Sequence, residues 1–333
     1  MARLIASALV VLLASCGGET PLETPPTATG PVLLVSQKAS KSVAWYTLDG
    51  ELVAEAQVSD HPHEIVLSPD GSTLYVTDNG VMQIENAGNG GNKVSIIDMK
   101  ARERVGEFDL GKYYRPHGID LCADGTLLAT TENPDQLLLI DRETRETRNF
   151  GTGGETPHIV HCSPDSKYAY VSNARSGTVA KIELASGEHH LVETGARPEG
   201  STLSKDGSKL YVAHRDADKI VIVDTASWTV AGEIPTGKSP VRCGLTGDEK
   251  TIVYGLFGDG AIGFASLETG RETGQLKLAG PAVSLEMMED GVTATSCAQD
   301  QDVCYVISVP ERKILYTVHT AAGAGPDPAL LLE

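Results

Sequence analysis

The chain has 333 residues, with 45 aspartates and glutamates against 27 lysines and arginines, a formal net charge of −18 and a pI near 4.9. Phosphate backbones and anionic membrane surfaces are bound by clustered lysine and arginine, so this balance excludes a general nucleic-acid or membrane-surface protein. An acidic shell favours solubility and steers cations or basic partners, and it does not define a site.

The first residues are expected to be processed. Arg3 supplies a positive start, residues 4–13 an apolar run too short to span a bilayer, and Leu13-Ala14-Ser15-Cys16 a small-residue cleavage site ending in cysteine. This run resembles the bacterial lipobox. The resemblance implies that residues 1–15 are a signal peptide and that Cys16 becomes a lipid-bearing N-terminus. Gly17, where aspartate would stand for retention, implies the outer membrane, facing the periplasm. The alternative is an ordinary signal peptide with an incidental cysteine. Residues 16–30 are rich in Gly, Pro, Thr and Glu without hydrophobic periodicity and read as a flexible tether. Residues 31–333 form the folded body, a normal size for one repeat architecture.

Within the body a phrase recurs. Pro62, Pro116, Pro157, Pro198 and Pro240 are each followed eight residues later by Asp70, Asp124, Asp165, Asp206 and Asp248. From Pro116 the prolines, ending at Pro281, are spaced by 41, 41, 42 and 41 residues, a period typical of arrays and propellers. Each unit reads as four short strands: a Pro-initiated run such as Pro62 to Leu67, a turn at Asp70-Gly71, Leu74-Tyr75-Val76-Thr77, Val94 to Asp98, and a last strand near residues 105–110. Alternating apolar positions and Gly/Asp turns favour strands over helices. Second strands begin near Leu33, Leu74, Leu127, Tyr168, Leu210, Ile252 and Val292, giving seven units. Unit one lacks its own first strand, and residues 328–332 resemble a first strand with no unit after it. The prediction is an all-β, seven-bladed β-propeller of four-stranded antiparallel blades, with the C-terminal strand closing the first blade and removing the open edges.

Five cysteines lie in the body. Cys122, Cys162 and Cys243 are expected as small apolar side chains in inner-strand positions. Cys297 and Cys304 flank a hairpin turn and are candidates for a cross-strand disulfide in an oxidising compartment. No spacing matches a zinc ribbon or a CxxC redox motif.

Segments such as Leu74-Tyr75-Val76-Thr77-Asp78-Asn79 and Tyr170-Val171-Ser172-Asn173, each after Ser-Pro-Asp, resemble the YVTN repeats of seven-bladed propellers. The resemblance covers residues 33–332 and implies the fold, while its superfamily carries several activities. In a four-stranded meander the loop entering strand one and the loop between strands two and three open on one face. That face collects His63, His117 and His158, which follow the repeat proline in three consecutive units rotated by ~51° each. Glu199 and Val241 hold the next two equivalent positions, with Arg242 following. Asp78, Asn79, Glu132, Asn133, Asn173, His214 and Arg215 end the second strands there. Two enlarged loops emerge on the same face, residues 80–93 and Lys112-Tyr113-Tyr114-Arg115.

Three roles stay open for the histidines. They are inter-blade hydrogen-bonding groups, or metal ligands with Glu199 as an oxygen donor, or acid-base groups beside anion-holding arginines. The third follows a closer resemblance to lactonase-like propellers, through Asp60-His61-Pro62-His63 and Pro157-His158. It implies His158 as acid-base and Arg215 and Arg242 as anion holders. Ala174 stands where those proteins carry a glutamate, so one expected carboxylate is missing. His161 is expected to point away from His158, three residues before it, and His189, His190 and His319 read as solvated or structural.

The leading expectation is a lipid-anchored cell-envelope propeller that binds a small-molecule ligand or an envelope protein with this face, using His63, His117, His158, Glu199, Tyr114 and Arg115. The alternatives are a lactonase-like hydrolase or isomerase, and a carrier of a metal or haem-like cofactor on His63, His117 and His158. The sequence defines no specific cofactor. It has no serine nucleophile elbow, P-loop or dinucleotide fingerprint.

Overall fold

The computed structural model describes residues 30–333. The expected signal peptide, Cys16 and the expected tether as far as residue 29 lie outside the described residues. Seven four-stranded antiparallel sheets follow one another around a ring, and the one helical element among the described residues is a single 3-10 turn at Gln299–Gln301. The apolar alternation read from sequence packs blade against blade. Between blades 1 and 2, Leu34, Val43 and Trp45 meet Leu74, Val76 and Ile97. A comparable cluster fills every other gap around the ring. Outermost strands such as Glu103–Asp109 stay largely exposed.

The repeated aspartate is structural. Ser68 Oγ donates to Asp70 Oδ1 at 2.6 Å, and the Thr73 N–H donates to Ser68 Oγ at 2.9 Å, closing the turn between the first two strands. The same device recurs as Ser163 with Asp165, Ser204 with Asp206 and Thr246 with Asp248. Hydrogen bonds from Ser68 and Ser72 hold the Asp70 carboxyl at about 2. A carboxylate that caps its own turn in this way fixes the hairpin locally, which explains its regular return.

Closure occurs as expected, with one shift. The C-terminal strand runs from Pro326 to Leu332 and pairs antiparallel with Val32–Gln37, Leu330 opposite Leu34. It starts two residues before the expected residue 328. Pro326 therefore takes the slot of the repeat proline, and Asp327 takes the slot of His63. Blade 7 departs from the pattern, because Pro281 opens no strand and the inner strand is only Glu286–Met287. Side-chain bonds replace the missing ladder there: Ser296 Oγ donates to the Ser284 carbonyl at 2.6 Å, and the Cys297 N–H donates to Ser284 Oγ at 3.1 Å.

The cysteines correct part of the sequence reading. Cys297 and Cys304 are disulfide-bonded across facing strands. Cys122 and Cys162, expected as separate apolar side chains, also form a disulfide, joining the lower ends of the inner strands of blades 3 and 4. They are 40 residues apart, close to one repeat, so adjacent blades bring them together. Cys243 remains a buried free thiol, and burial pushes it up to about 12.

Candidate functional site

The inner strands carry a β-bulge just after the repeat proline. In blade 2, Pro62 faces Asp78 while Ile65 faces Val76, so one extra residue is inserted at His63 and Glu64. Blades 3, 4, 5 and 6 shift at the same point. A bulge breaks the strict in-out alternation and re-aims side chains. It also accounts for His161, which was expected to point away from His158. Both border the central channel, His158 its upper part and His161 its lower part, because the bulge between Pro157 and Val160 resets the alternation.

Two rings of residues surround the upper mouth. The residue after the repeat proline gives Asp327, His63, His117, His158, Glu199 and Val241 in blades 1 to 6. The residue after the one facing that proline gives Lys38, Asn79, Ala174, Arg215 and Phe257 in blades 1, 2, 4, 5 and 6; Glu132 follows Thr131, which faces Pro116, in blade 3. Within a blade the two rings pair. Lys38 Nζ lies 3.8 Å from Asp327, Glu132 Oε1 lies 2.7 Å from His117 Nδ1, and Arg215 Nη1 lies 3.3 Å from Glu199 Oε1. Blade 4 offers only Ala174 opposite His158, so the missing carboxylate has a visible consequence. The His158 Nδ1 turns instead to the Glu199 carbonyl, at 3.1 Å.

The three histidines converge. The His63 and His117 ring centroids are 4.0 Å apart and those of His117 and His158 are 3.7 Å apart, and all three residues are buried. Burial pushes all three below the ordinary imidazole range. For His117 the neighbouring His158 and His63 add to that push, and for His158 Arg242 does. The His117 and His158 backbones are fixed from the preceding blade: Thr77 Oγ1 donates to the His117 carbonyl at 2.7 Å, and Thr130 Oγ1 to the His158 carbonyl at 2.6 Å. Gly118 makes the approach possible, since a Cβ there would sit 2.2 Å from the His158 carbonyl oxygen.

Beneath the histidines the channel is divided. Glu64 from blade 2 and Arg242 from blade 6, each two residues after its repeat proline, meet across the axis as a buried ion pair, with both side chains 9% exposed. Burial opposes the ionisation of Glu64, but Arg242 overrides it and holds the carboxyl below its ordinary range. Above the pair lies a cavity of about 320 Å³ bordered by the histidines, Lys38, Arg197, Glu199, Arg215 and Phe257. Below it lies a second of about 360 Å³, where burial pushes the Glu286 carboxyl up to about 8.

The upper cavity has a roof. The loop of residues 80–92 folds inward over it, and its Met82, Gln83, Ile84 and Glu85 line the cavity. Arg115 holds the loop from blade 3, donating through Nη2 to the Ile84 carbonyl at 2.9 Å and through Nη1 to the Asn86 carbonyl at 3.2 Å. On the far side Arg197 Nη2 donates to Glu85 Oε1 at 2.9 Å. The loop pinches at its base, where a Cβ on Gly91 would lie 2.1 Å from the Asp78 carbonyl oxygen.

Most of the residues singled out from sequence therefore meet here. His63, His117, His158, Glu199, Arg215 and Arg242 line the upper cavity. Arg115 acts behind it as the roof's support, next to Glu132 at 2.8 Å. Tyr114 sits on the inner strand of blade 3 opposite Asn133 and does not border the cavity. Burial pushes the Glu132 carboxyl up to about 7, against the pull of Arg115. Sequence reasoning passed over Lys38, Glu64, Glu85, Arg197 and Asp327 as site residues. A signal existed for two of them: Asp327 follows a proline in the histidine slot, and Glu64 shares Arg242's offset from the repeat proline.

No protein-family profile matches the chain, and neither does any curated protein. Solved structures do resemble it. A functionally unknown protein from Desulfotomaculum acetoxidans superposes with a TM-score of 0.74 at 14% identity, over 91% of this chain and 99% of that one. Hydrazine synthase from Kuenenia stuttgartiensis gives 0.67 at 19% identity, over 93% and 99%. A catalytically inactive virginiamycin B lyase from Staphylococcus aureus with quinupristin gives 0.67 at 17% identity, over 81% and 89%. Likeness at these identities establishes a shared seven-bladed β-propeller fold and leaves activity to be argued from the site.

Proposed function

We propose that this protein is a cell-envelope binding protein whose ligand is a small molecule bearing a carboxylate, held in the roofed cavity above the histidines. One observation carries the reading. Arg197 and Arg215 both reach a single internal carboxylate oxygen, Glu199 Oε1, at 2.6 and 3.3 Å, and Arg197 also holds Glu85 of the roof loop. Set against the buried Glu199 alone, two guanidinium groups leave one positive charge, which Glu85 of the roof balances, and a guanidinium fork matches a second carboxylate in geometry. Glu85 occupies the place a ligand carboxylate would take, so ligand entry exchanges one anion for another as the roof moves. The envelope location is supported by the lipobox-like start of the chain, with Cys16 as the lipid attachment point, and by two disulfides, which persist in oxidising compartments.

A lactonase-like reaction is favoured by one specific feature. His158 is buried and neutral, and its Nδ1 is engaged by a carbonyl, which leaves Nε2 free to act as a base beside the arginines. A thermal-shift panel of small mono- and dicarboxylates and their lactones, with product analysis of each lactone incubation, separates the two readings. Stabilisation by carboxylates without turnover supports binding. Lactone turnover lost in His158→Ala supports the enzyme, and a panel with neither response overturns both.

A further inference from the structure

The arginines account for ligand charge, but they leave the paired histidines below them unused. His117 Nδ1 lies 2.7 Å from a carboxyl oxygen of Glu132, and Arg115 lies 2.8 Å from the same carboxyl. His158 Nδ1 faces the Glu199 carbonyl at 3.1 Å, a group that can only accept. The His158 ring therefore carries its proton on Nδ1 and presents a bare Nε2. The His117 Nε2 is buried without a hydrogen-bond partner, and His63 Nδ1 has only the Glu64 carboxylate near it, at 3.3 Å. A buried polar atom without a partner costs free energy unless something outside the chain engages it.

We propose that His63, His117 and His158, together with the Glu64 carboxylate, bind one divalent first-row transition-metal ion of the zinc or copper class. Donor atoms of His63, Glu64 and His117 all lie within 4.8 Å of one another, and the His158 ring adjoins His117. Bonds of about 2.0–2.2 Å from nitrogen and oxygen place donors about 3.3 Å apart around one ion, a closure that side-chain rotation supplies. Neutral imidazoles with a carboxylate suit zinc, copper and iron, whereas magnesium and calcium prefer all-oxygen shells. The Glu132–His117 contact is the outer-shell carboxylate that commonly fixes the tautomer and orientation of a metal-bound histidine. Lys38 and Arg242 border the same cavity, and each is already paired, with Asp327 and Glu64 respectively. The site deepens the binding reading and shares its cavity: a fifth coordination position towards Arg197 and Arg215 would let metal and arginines hold one carboxylate together.

The test uses the full chain, stripped with a chelator and dialysed against Zn2+ or Cu2+, followed by elemental analysis. The expected result is one ion per chain, with nitrogen hyperfine structure in the Cu2+ EPR spectrum. His117→Ala should lose the ion, and Glu132→Gln should weaken its affinity about 10–100-fold with unchanged circular dichroism. The EPR spectrum of the unaltered protein decides the matter even where His117→Ala does not fold. No retained ion, an oxygen-only Cu2+ spectrum, or retention indifferent to His117 overturns the proposal. Carboxylate retention is measured in parallel with Arg197→Ala: metal lost with carboxylates retained defeats this inference alone, and the reverse defeats only the carboxylate reading.

Discussion

Replacing Arg242 by methionine should destabilise the propeller by several kcal/mol, and replacing Glu64 as well should restore most of the loss. The pair spans the channel between strands 178 residues apart in sequence, and each side chain is 9% exposed. An exposed ion pair contributes about 0–1 kcal/mol. Removing one partner of a buried pair instead strands a desolvated charge, at about 3–5 kcal/mol. Arg242 also donates through Nη1 to the Val241 carbonyl at 3.1 Å, a bond lost in the same variant. Against a typical total of about 5–15 kcal/mol, the single variant should lower the melting temperature by about 5–8 °C in a body of this size. Glu64→Met should behave similarly, because Arg242 would then be the stranded ion. With both replaced by methionine neither member of the pair is left as a stranded ion, and such apolar replacements are often near neutral. Urea unfolding of the four proteins completes the double-mutant cycle and gives a coupling of about 3 kcal/mol or more. Additive effects within about 0.5 kcal/mol would refute the idea that the channel is closed by a desolvated pair.

Four further outcomes follow from the same geometry. Burial pushes the Asp78 carboxyl up to about 7 from 3.8, so the folded chain holds a proton there that the unfolded chain has released. That contribution is fully present below pH 3.8, declines up to about pH 7, and totals at most about 4 kcal/mol; Asp78→Asn should flatten the stability profile in this window, and an unchanged slope would contradict it. Removing the Cys122–Cys162 disulfide, which closes 40 residues, should cost about 4 kcal/mol against about 2.5 for the seven-residue Cys297–Cys304 loop; denaturant titrations showing the reverse order would count against the chain-entropy account. Gly118→Ala drives a Cβ onto the His158 carbonyl and should cost about 1–3 kcal/mol, read by thermal unfolding. Glu85→Gln removes the internal anion on Arg197 and should tighten carboxylate binding by calorimetry, whereas weaker binding would mean that Glu85 itself recognises the ligand.

The fold was legible because its determinants are local. Alternating apolar residues and the Ser-Pro-Asp turns are read along the chain, and Asp70 shows why, since its partners Ser68 and Ser72 are two residues away. His63, His117 and His158 were legible as a group because they share one slot in consecutive units. Their packing against one another was not, because it depends on the bulge after Pro62 and its equivalents, and a bulge leaves no mark on composition. The Glu64–Arg242 pair depends on the same bulge and on two blades meeting across the axis. The roof was visible as a long loop, but its direction was not. Arg115 holds it through the carbonyls of Ile84 and Asn86, and backbone acceptors are the same in every sequence. Cys122 and Cys162 were individually visible one repeat apart, and their bond follows only once the blades are placed side by side.

Under the proposed function the roofed cavity binds a small carboxylate through Arg197 and Arg215. Equilibrium dialysis of a mixed panel of small mono- and dicarboxylates against the full chain, with retained compounds read by mass spectrometry, tests it most directly. At least one compound should be retained by the unaltered protein and released when Arg197 and Arg215 are both replaced by alanine. No retention, or equal retention by the double variant, would mean that these arginines do not hold a carboxylate ligand.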